Sequence, residues 1–196
     1  MVRELPGDIV VTIGLRTQSQ GNTTRVGLDT RAVEKQTAGR LATKTFESGY
    51  YHTNDTAFLV REAIKQIETG FFSQLTASFE QMINKGREVQ LDLNISESVS
   101  DWDFEQDAPA SGEFFKDALD EWLREYAFHG IYDMSRSTDK YISISINVPL
   151  WNAAKNRTYT LSNFGSDLRK FFKKHLGEDY KANVTAMGQS MTVIIE

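Results

Sequence analysis

Residues 88–95 read EVQLDLNI, and this stretch decides the fold because apolar and polar side chains alternate in it without a break. Val89, Leu91, Leu93 and Ile95 recur at every second residue, which is the spacing of side chains on one face of a β-strand. The polar residues between them belong to the opposite face. The sequence therefore predicts a strand with one buried face and one face in water.

Further strands and helices are predicted on the C-terminal side of this strand. Residues 141–148 alternate in the same way and follow residues 131–134 across a polar turn, which predicts a β-hairpin. Apolar residues at helical spacing predict one helix that begins at Ser111 and ends at Gly130, and another that ends at Gly177. Two closing strands are expected at residues 180–186 and 191–195.

The order of these elements predicts an α+β fold, in which helices cover one face of an antiparallel sheet. Residues 88–196 follow the βαββαβ order of ferredoxin-like sandwiches, with one additional C-terminal strand. Residues 1–87 form an N-terminal region with a strand or arm and a helical segment. Both regions can also belong to one continuous domain.

The N-terminal region begins with a β-branched stretch at residues 9–15, which predicts a strand. Residues 16–24 are polar and are interpreted as the tip of a β-hairpin or an arm. Residues 31–42 have a pattern that we interpret as a short helix. Helical spacing then runs over residues 54–86 and is interrupted at Gly70, so it predicts either one long helix with a weak point or two helices.

Composition limits the classes of function. The net charge of −5 disfavours nucleic-acid binding, because contacts with phosphates need a basic surface. A cluster of lysine and arginine at residues 155–174 is the one candidate for a local basic patch. The absence of cysteine excludes disulfides, thiolate metal sites and a thiol nucleophile. No apolar run is long enough for a membrane span, and residues 1–8 lack the apolar core of a signal peptide.

Motifs for catalysis or cofactor binding are not found, so no catalytic residue, cofactor or metal site is assigned. The sequence has no nucleophile elbow, glycine-rich phosphate loop or dinucleotide fingerprint. Asp101 to Asp107 form an acidic loop with alternating carboxylates, but they lack the spacing of an EF-hand. Histidines His52, His129 and His175 are far apart in sequence, which gives no local support to a zinc site.

These observations predict a non-catalytic structural or assembly subunit, such as a virion connector or tail component or a part of a bacterial envelope or secretion machine. Its partners are expected to be proteins, in a homo- or hetero-oligomer, because sheet edges and arms are how small α+β subunits dock. Three aromatic residues in predicted loops, Trp102, Phe104 and Trp151, are the interface candidates. We expect a soluble protein, and the sequence does not decide between the virion, the cytoplasm and, if a signal peptide has been removed, the periplasm.

A second hypothesis is a small-molecule-binding or peptide-binding domain, or an enzyme, with an apolar pocket between sheet and helices. A cleft that holds His52 or His129 beside carboxylates favours this hypothesis. A flat sheet face or an edge available for pairing favours assembly.

Overall fold

The computed structural model describes residues 9–152 and 156–196. The chain divides into two compact units, of which the first extends to Gln81 and the second runs from Met82 to Glu196. The segment at residues 1–8, which was considered above for a signal peptide, and Lys155 lie outside the described residues.

The first unit contains a three-stranded antiparallel sheet of β1 (Ile9–Gln20), β2 (Thr23–Glu34) and β3 (Arg40–Glu47), in that order. A two-residue turn with Gly21 at a φ of 56° joins β1 to β2. Of the two interpretations of residues 16–24, a hairpin tip or an arm, the structure has the hairpin, and β2 is the central strand.

The helix predicted at residues 31–42 is wrong, because these residues form the end of β2, a turn and the start of β3. The buried carboxylate of Glu34 determines the turn: its Oε2 accepts hydrogen bonds from the backbone N–H of Thr37 at 2.7 Å and from the Thr37 hydroxyl at 2.6 Å. Ala38 then adopts a φ of 55°. A side chain that bonds nearby backbone groups competes with helix formation, which explains the difference.

The helical segment that follows β3 consists of two helices, α1 (Thr56–Ile64) and α2 (Ser73–Lys85), with a π-helical turn at Glu68–Phe72 between them. The last four residues of α2 belong to the second unit. Asp55 caps α1, because its Oδ1 accepts hydrogen bonds from the backbone N–H groups of Ala57 and Phe58. The interruption predicted at Gly70 falls inside the π-helical turn. Of the two alternatives for residues 54–86, one long helix with a weak point or two helices, the structure has two helices.

The second unit contains the predicted strands and helices with changes at their ends. The chain order is β4 (Arg87–Ile95), α3 (Phe115–Tyr126), β5 (Tyr132–Ser137), β6 (Tyr141–Val148), β7 (Trp151–Asn152), β8 (Arg157–Thr158), α4 (Leu161–Leu176), β9 (Ala182–Met187) and β10 (Ser190–Ile195). The short two-stranded sheet of β7 and β8 was not predicted, so Trp151 lies in a strand and not in a loop. Thr160 and Asn163 form a capping box at the start of α4, and Gly177 follows its last residue.

The fold is α+β, with mainly antiparallel sheets, but the five-stranded sheet of the second unit does not confirm a ferredoxin-like strand order. Its order is β5-β6-β4-β10-β9, so the C-terminal strand β10 lies between β4 and β9. Strand β10 runs parallel to β4 and antiparallel to β9. A ferredoxin-like sheet would place the strand that follows the second helix directly beside the first strand.

The core of the second unit lies between one face of this sheet and the helices α3 and α4. Val89, Leu91 and Leu93 of β4 are completely buried there, and Leu119 of α3 and Phe164 of α4 pack into the same cluster. The alternation of apolar and polar residues in β4 therefore matches the structure, in which one face of the strand is buried and the other is more exposed.

The opposite sheet face is polar and has its own hydrogen bonds. Asp92 accepts hydrogen bonds from the hydroxyl of Tyr141 at 2.8 Å and of Ser143 at 2.7 Å, and Gln90 donates to Ser143 at 2.7 Å. The half-buried carboxylate of Asp92 therefore obtains its hydrogen bonds from the neighbouring strand β6.

Candidate functional site

One apolar feature of the first unit is a row of side chains on β1, which we call the β1 stripe (Ile9, Val11, Ile13 and Leu15). Val11, Ile13 and Leu15 are 49%, 59% and 54% exposed. They lie on the sheet face that forms the core of this unit, since Leu15 is directly opposite Leu28, which is 3% exposed. The stripe is therefore an exposed extension of a buried apolar surface.

The stripe is uncovered because α1 packs over the other two strands. Leu59 and Ala63 of α1 are completely buried, and α1 contacts β2 and β3. Within residues 9–152 and 156–196, no strand pairs with the outer edge of β1. An exposed edge that carries large apolar side chains is a typical docking surface for another strand.

The two edges of this sheet differ in charge. Strand β3, at one edge, carries Arg40, Lys44 and Glu47. Strand β1, at the other edge, has one charged residue, Arg16, which forms a salt bridge of 2.7 Å with Asp29. Charged residues on an edge strand oppose pairing with other chains, and β1 lacks them along the whole stripe.

A second apolar surface lies on the second unit, around Trp151. Trp151 is 52% exposed and Ile83 is 64% exposed, and both line an apolar cavity of about 200 Å³. Met82, Phe128 and Leu150 form the other walls of this Trp151 pocket. An exposed tryptophan is suited to a protein interface, and the interface role of Trp151 stays a prediction.

The other two interface candidates, Trp102 and Phe104, are not exposed. Trp102 is 3% exposed and Phe104 is 0% exposed, and both belong to the core of the second unit. Their rings form an edge-to-face contact of 5.6 Å, and each packs against Phe115 of α3. The exposure expected of these two loop aromatics is wrong, because both side chains are buried in the core of the second unit.

Polar contacts hold the acidic loop so that its aromatic residues point inward. The indole N–H of Trp102 donates to the backbone oxygen of Asp107 at 3.0 Å. Lys140 Nζ donates to the backbone oxygens of Val99 at 3.0 Å and Trp102 at 2.8 Å. The loop is therefore attached to the β5–β6 hairpin, and its carboxylates lie on the outside.

The carboxylates of this loop make separate local contacts. Asp103 accepts a hydrogen bond from the backbone N–H of Glu105 at 2.8 Å, Asp101 accepts one from the Tyr180 hydroxyl at 3.1 Å, and Glu105 forms an ion pair with Lys116. Among the residues that the structure describes, no group of three or more His, Asp or Glu side chains is placed to hold a metal ion.

A polar groove of about 340 Å³ lies between α3 and α4 in the second unit. Its floor is aromatic, with Trp122, Tyr126 and Phe171; the rings of Trp122 and Tyr126 stack at 4.6 Å. Glutamates of α3 line one side and lysines of α4 line the other, namely Glu121, Glu125, Lys170 and Lys174.

The central charged groups of this groove have partners within the protein. Asp167 accepts a hydrogen bond from the Tyr159 hydroxyl at 2.7 Å and forms a salt bridge of 2.7 Å with Lys170. Burial and the bond to Asp167 raise the pKa of Tyr159 far above its usual value, and Asp167 also raises the pKa of Lys170. The side chains of Tyr159, Asp167 and Lys170 are therefore satisfied within the chain.

At one end of the groove, His175 is 3% exposed and contacts two polar groups. Its Nδ1 lies 2.9 Å from the Ser111 hydroxyl and 3.5 Å from Glu113 Oε2. In a catalytic Ser–His–acid triad the serine and the acid contact opposite ring nitrogens. Here both lie at Nδ1, so the arrangement is suited to holding the loop against α4 and not to relaying a proton.

This contact also explains why α3 does not begin at Ser111. The helix begins at Phe115, its first turn has no side-chain cap, and the Ser111 hydroxyl is directed to His175 instead. The predicted cap is therefore wrong. The sequence contains no local signal for this contact because the two residues are far apart along the chain.

The buried position of His175 predicts a dependence of stability on pH. Burial lowers the pKa of His175 below its ordinary value of 6.5, and Lys174 lowers it further, while Glu113 opposes the shift. The unfolded state then binds a proton more readily than the folded state. The stabilising effect is fully present above about pH 6.5 and is lost as the pH falls from there through the folded pKa.

We therefore expect the wild type to lose more stability than His175→Gln when the pH is lowered from 7.5 to about 5. Urea unfolding at both pH values measures the difference. His52→Gln, which removes an exposed histidine, should keep the wild-type loss. An equal loss in the wild type and in His175→Gln would contradict the assignment.

In the part of the chain that the structure describes, the remaining histidines and the basic residues of α4 have separate local surroundings. His52 lines an open depression of about 370 Å³ beside Asp55, whose carboxylate caps α1. His129 is exposed in a short 3₁₀ turn. On α4, Lys173 pairs with Glu178 at 2.7 Å.

Sequence reasoning missed the β1 stripe as a candidate site, although it predicted the strand. The available signal was the run of apolar residues at positions 9–15 without a single charge. Such a run is equally typical of a buried strand. Only the position of β1 at the edge of the sheet shows that its side chains are exposed.

Taken together, the fold and these surfaces define a two-unit α+β protein with an exposed apolar edge strand. Residues 87–196, more than half of the chain, match a family model described as "Domain of unknown function (DUF6175)", and the chain belongs to this family. No curated protein and no solved structure matches the chain. Within the described residues, no helix is long and apolar enough to cross a membrane.

Proposed function

We propose that this protein is a non-catalytic assembly subunit that docks on a protein partner through the outer edge of β1. The observation that carries the proposal is the β1 stripe, in which Val11, Ile13 and Leu15 are about half exposed on an edge strand. Strand addition would supply strand-to-strand hydrogen bonds, which no strand among the described residues makes with this edge, and it would cover the apolar side chains.

The Trp151 pocket of the second unit supports the assembly role independently of β1. It places an exposed tryptophan beside an exposed isoleucine, and aromatic residues next to apolar cavities are common anchors at protein interfaces. The α3–α4 groove gives less support to a ligand-binding function, because Asp167 and His175 have partners within the chain.

The test is association of the purified chain, measured by light scattering over a range of concentrations. We expect a multimer that dissociates on dilution, and we expect Ile13→Lys to raise its dissociation constant by about 100-fold, because a charge would be buried in an apolar strand contact. Ile13 is 59% exposed in the single chain, so a lysine there should leave the fold intact, as circular dichroism would show.

The matched control is Thr17→Lys, which adds the same charge on the same sheet face beyond the stripe. It should associate like the wild type. A multimer that Ile13→Lys leaves unchanged would overturn docking through this edge, and a chain that stays monomeric at every concentration would overturn docking on a second copy.

A further inference from the structure

We propose that the partner of β1 is the β1 strand of a second copy of this chain, paired antiparallel about a two-fold axis at Thr12. This inference rests on the proposed function and specifies its partner and register. The result is a continuous six-stranded sheet in the order β3-β2-β1-β1-β2-β3, which is an isologous interface of the kind that closes a dimer.

The pattern of apolar residues determines the register. In an antiparallel pair, residues on the same sheet face are opposite each other only if their numbers differ by an even amount. Pairing about Thr12 places Val11 opposite Ile13 of the second copy and Ile9 opposite Leu15 of the second copy. All four residues of the β1 stripe then have an apolar cross-strand neighbour at about 5 Å.

Neighbouring registers cover the stripe less completely. Pairing about Ile13 places Val11 opposite Leu15 but leaves Ile9 opposite the polar Thr17. Pairing about Gly14 leaves Val11 opposite Thr17. The register about Thr12 is therefore the one in which the apolar residues of both copies meet along their whole length.

Charge also favours a second copy at this edge. Between Ile9 and Leu15 the strand has no charged residue, so two copies bring no like charges together along the stripe. The first charge, Arg16, already pairs with Asp29 of its own chain. The other edge strand, β3, carries Arg40 and Lys44 and would meet charges of the same sign in several registers.

The packing of α1 explains why one chain leaves this surface open. Helix α1 covers the core face of β2 and β3, and the same face of β1 continues beyond it. A second copy places its own stripe beside this region, so that the two exposed rows of side chains cover each other. Burial of apolar area then favours association.

The absence of cysteine from the natural chain makes disulfide crosslinking a direct test of the register. In the proposed dimer, position 12 is opposite itself, where the Cβ atoms of an antiparallel pair lie within reach of a disulfide. Thr12→Cys leaves the stripe unchanged. Oxidation of this variant with copper phenanthroline should give a covalent dimer on a non-reducing gel.

The matched control is Gln20→Cys, which is exposed on the same strand and the same sheet face. In the proposed register its two copies are separated by about 50 Å, at about 3.4 Å per residue. It should stay monomeric under the conditions that crosslink most of the Thr12→Cys protein. Adding Ile13→Lys to Thr12→Cys should reduce the crosslinked fraction at least tenfold.

The outcomes separate this inference from the proposed function. If the wild type forms a multimer that Ile13→Lys disrupts, but Thr12→Cys does not crosslink above the Gln20→Cys control, then β1 is a docking edge and the two-fold register is wrong. If the wild type is monomeric and neither variant crosslinks, pairing with a second copy is overturned as well. Selective crosslinking of Thr12→Cys supports both proposals.

Discussion

Phe115→Ala should lower the free energy of unfolding by about 4 kcal/mol, the typical cost of removing a phenylalanine ring from a packed core. Phe115 is the first residue of α3 and is completely buried. Its ring lies 5.1 Å from Trp102, 5.2 Å from Phe104 and 6.1 Å from Phe172. The substitution therefore removes the ring that contacts both the acidic loop and helix α4.

The preceding residue supplies the control for this prediction. Phe114 has the same side chain but is 36% exposed, and Phe114→Ala should cost less than about 1 kcal/mol. Urea unfolding followed by circular dichroism measures both variants. Similar losses in the two variants would mean that the aromatic cluster around Phe115 is not the packed centre of the second unit.

Gly86→Ala should destabilise the protein by about 3 kcal/mol, because it combines backbone strain with a steric clash. Gly86 joins α2 to β4 with a φ of 81°, a conformation that residues with a Cβ rarely adopt. An added Cβ would lie 2.7 Å from the backbone oxygen of Val148 and 3.0 Å from the Cβ of Phe128. The backbone oxygen belongs to the end of β6 and has little freedom to move.

Gly112→Ala separates the two contributions. Gly112 has a similar φ of 71°, but no atom lies within 4 Å of the position of an added Cβ. Only the backbone strain should appear there, at about 1 kcal/mol. Thermal and urea unfolding of both variants gives the comparison, and equal losses would show that the close approach of Gly86 to β6 contributes nothing.

Several elements were predictable because their physical cause is local. The alternation at residues 89–95 and 142–148 follows from the buried and exposed faces of β4 and β6. The helical spacing of apolar residues before Gly177 follows from the buried side of α4. A residue such as Gly177, which follows the helix in a conformation with positive φ, ends it through its own backbone. No information from the rest of the chain is needed for these features.

The incorrect predictions concern residues whose partners are distant in sequence. Ser111 looks like a helix cap, but its hydroxyl is within hydrogen-bond distance of His175. Trp102 and Phe104 are in a polar, acidic loop, and the aromatic cluster around Phe115 buries them. In each case a contact across the fold is stronger than the local preference.

The sequence by itself determined the α+β class, the alternating strands of the second unit and its two amphipathic helices, because side-chain period and glycine conformation act within a few residues. Only the tertiary structure decided that β10 lies between β4 and β9, and that β1 lies at the edge of its sheet with its apolar side chains exposed. Strand order and edge position depend on which segments meet in space, and a strand has the same local pattern at the centre of a sheet as at its edge.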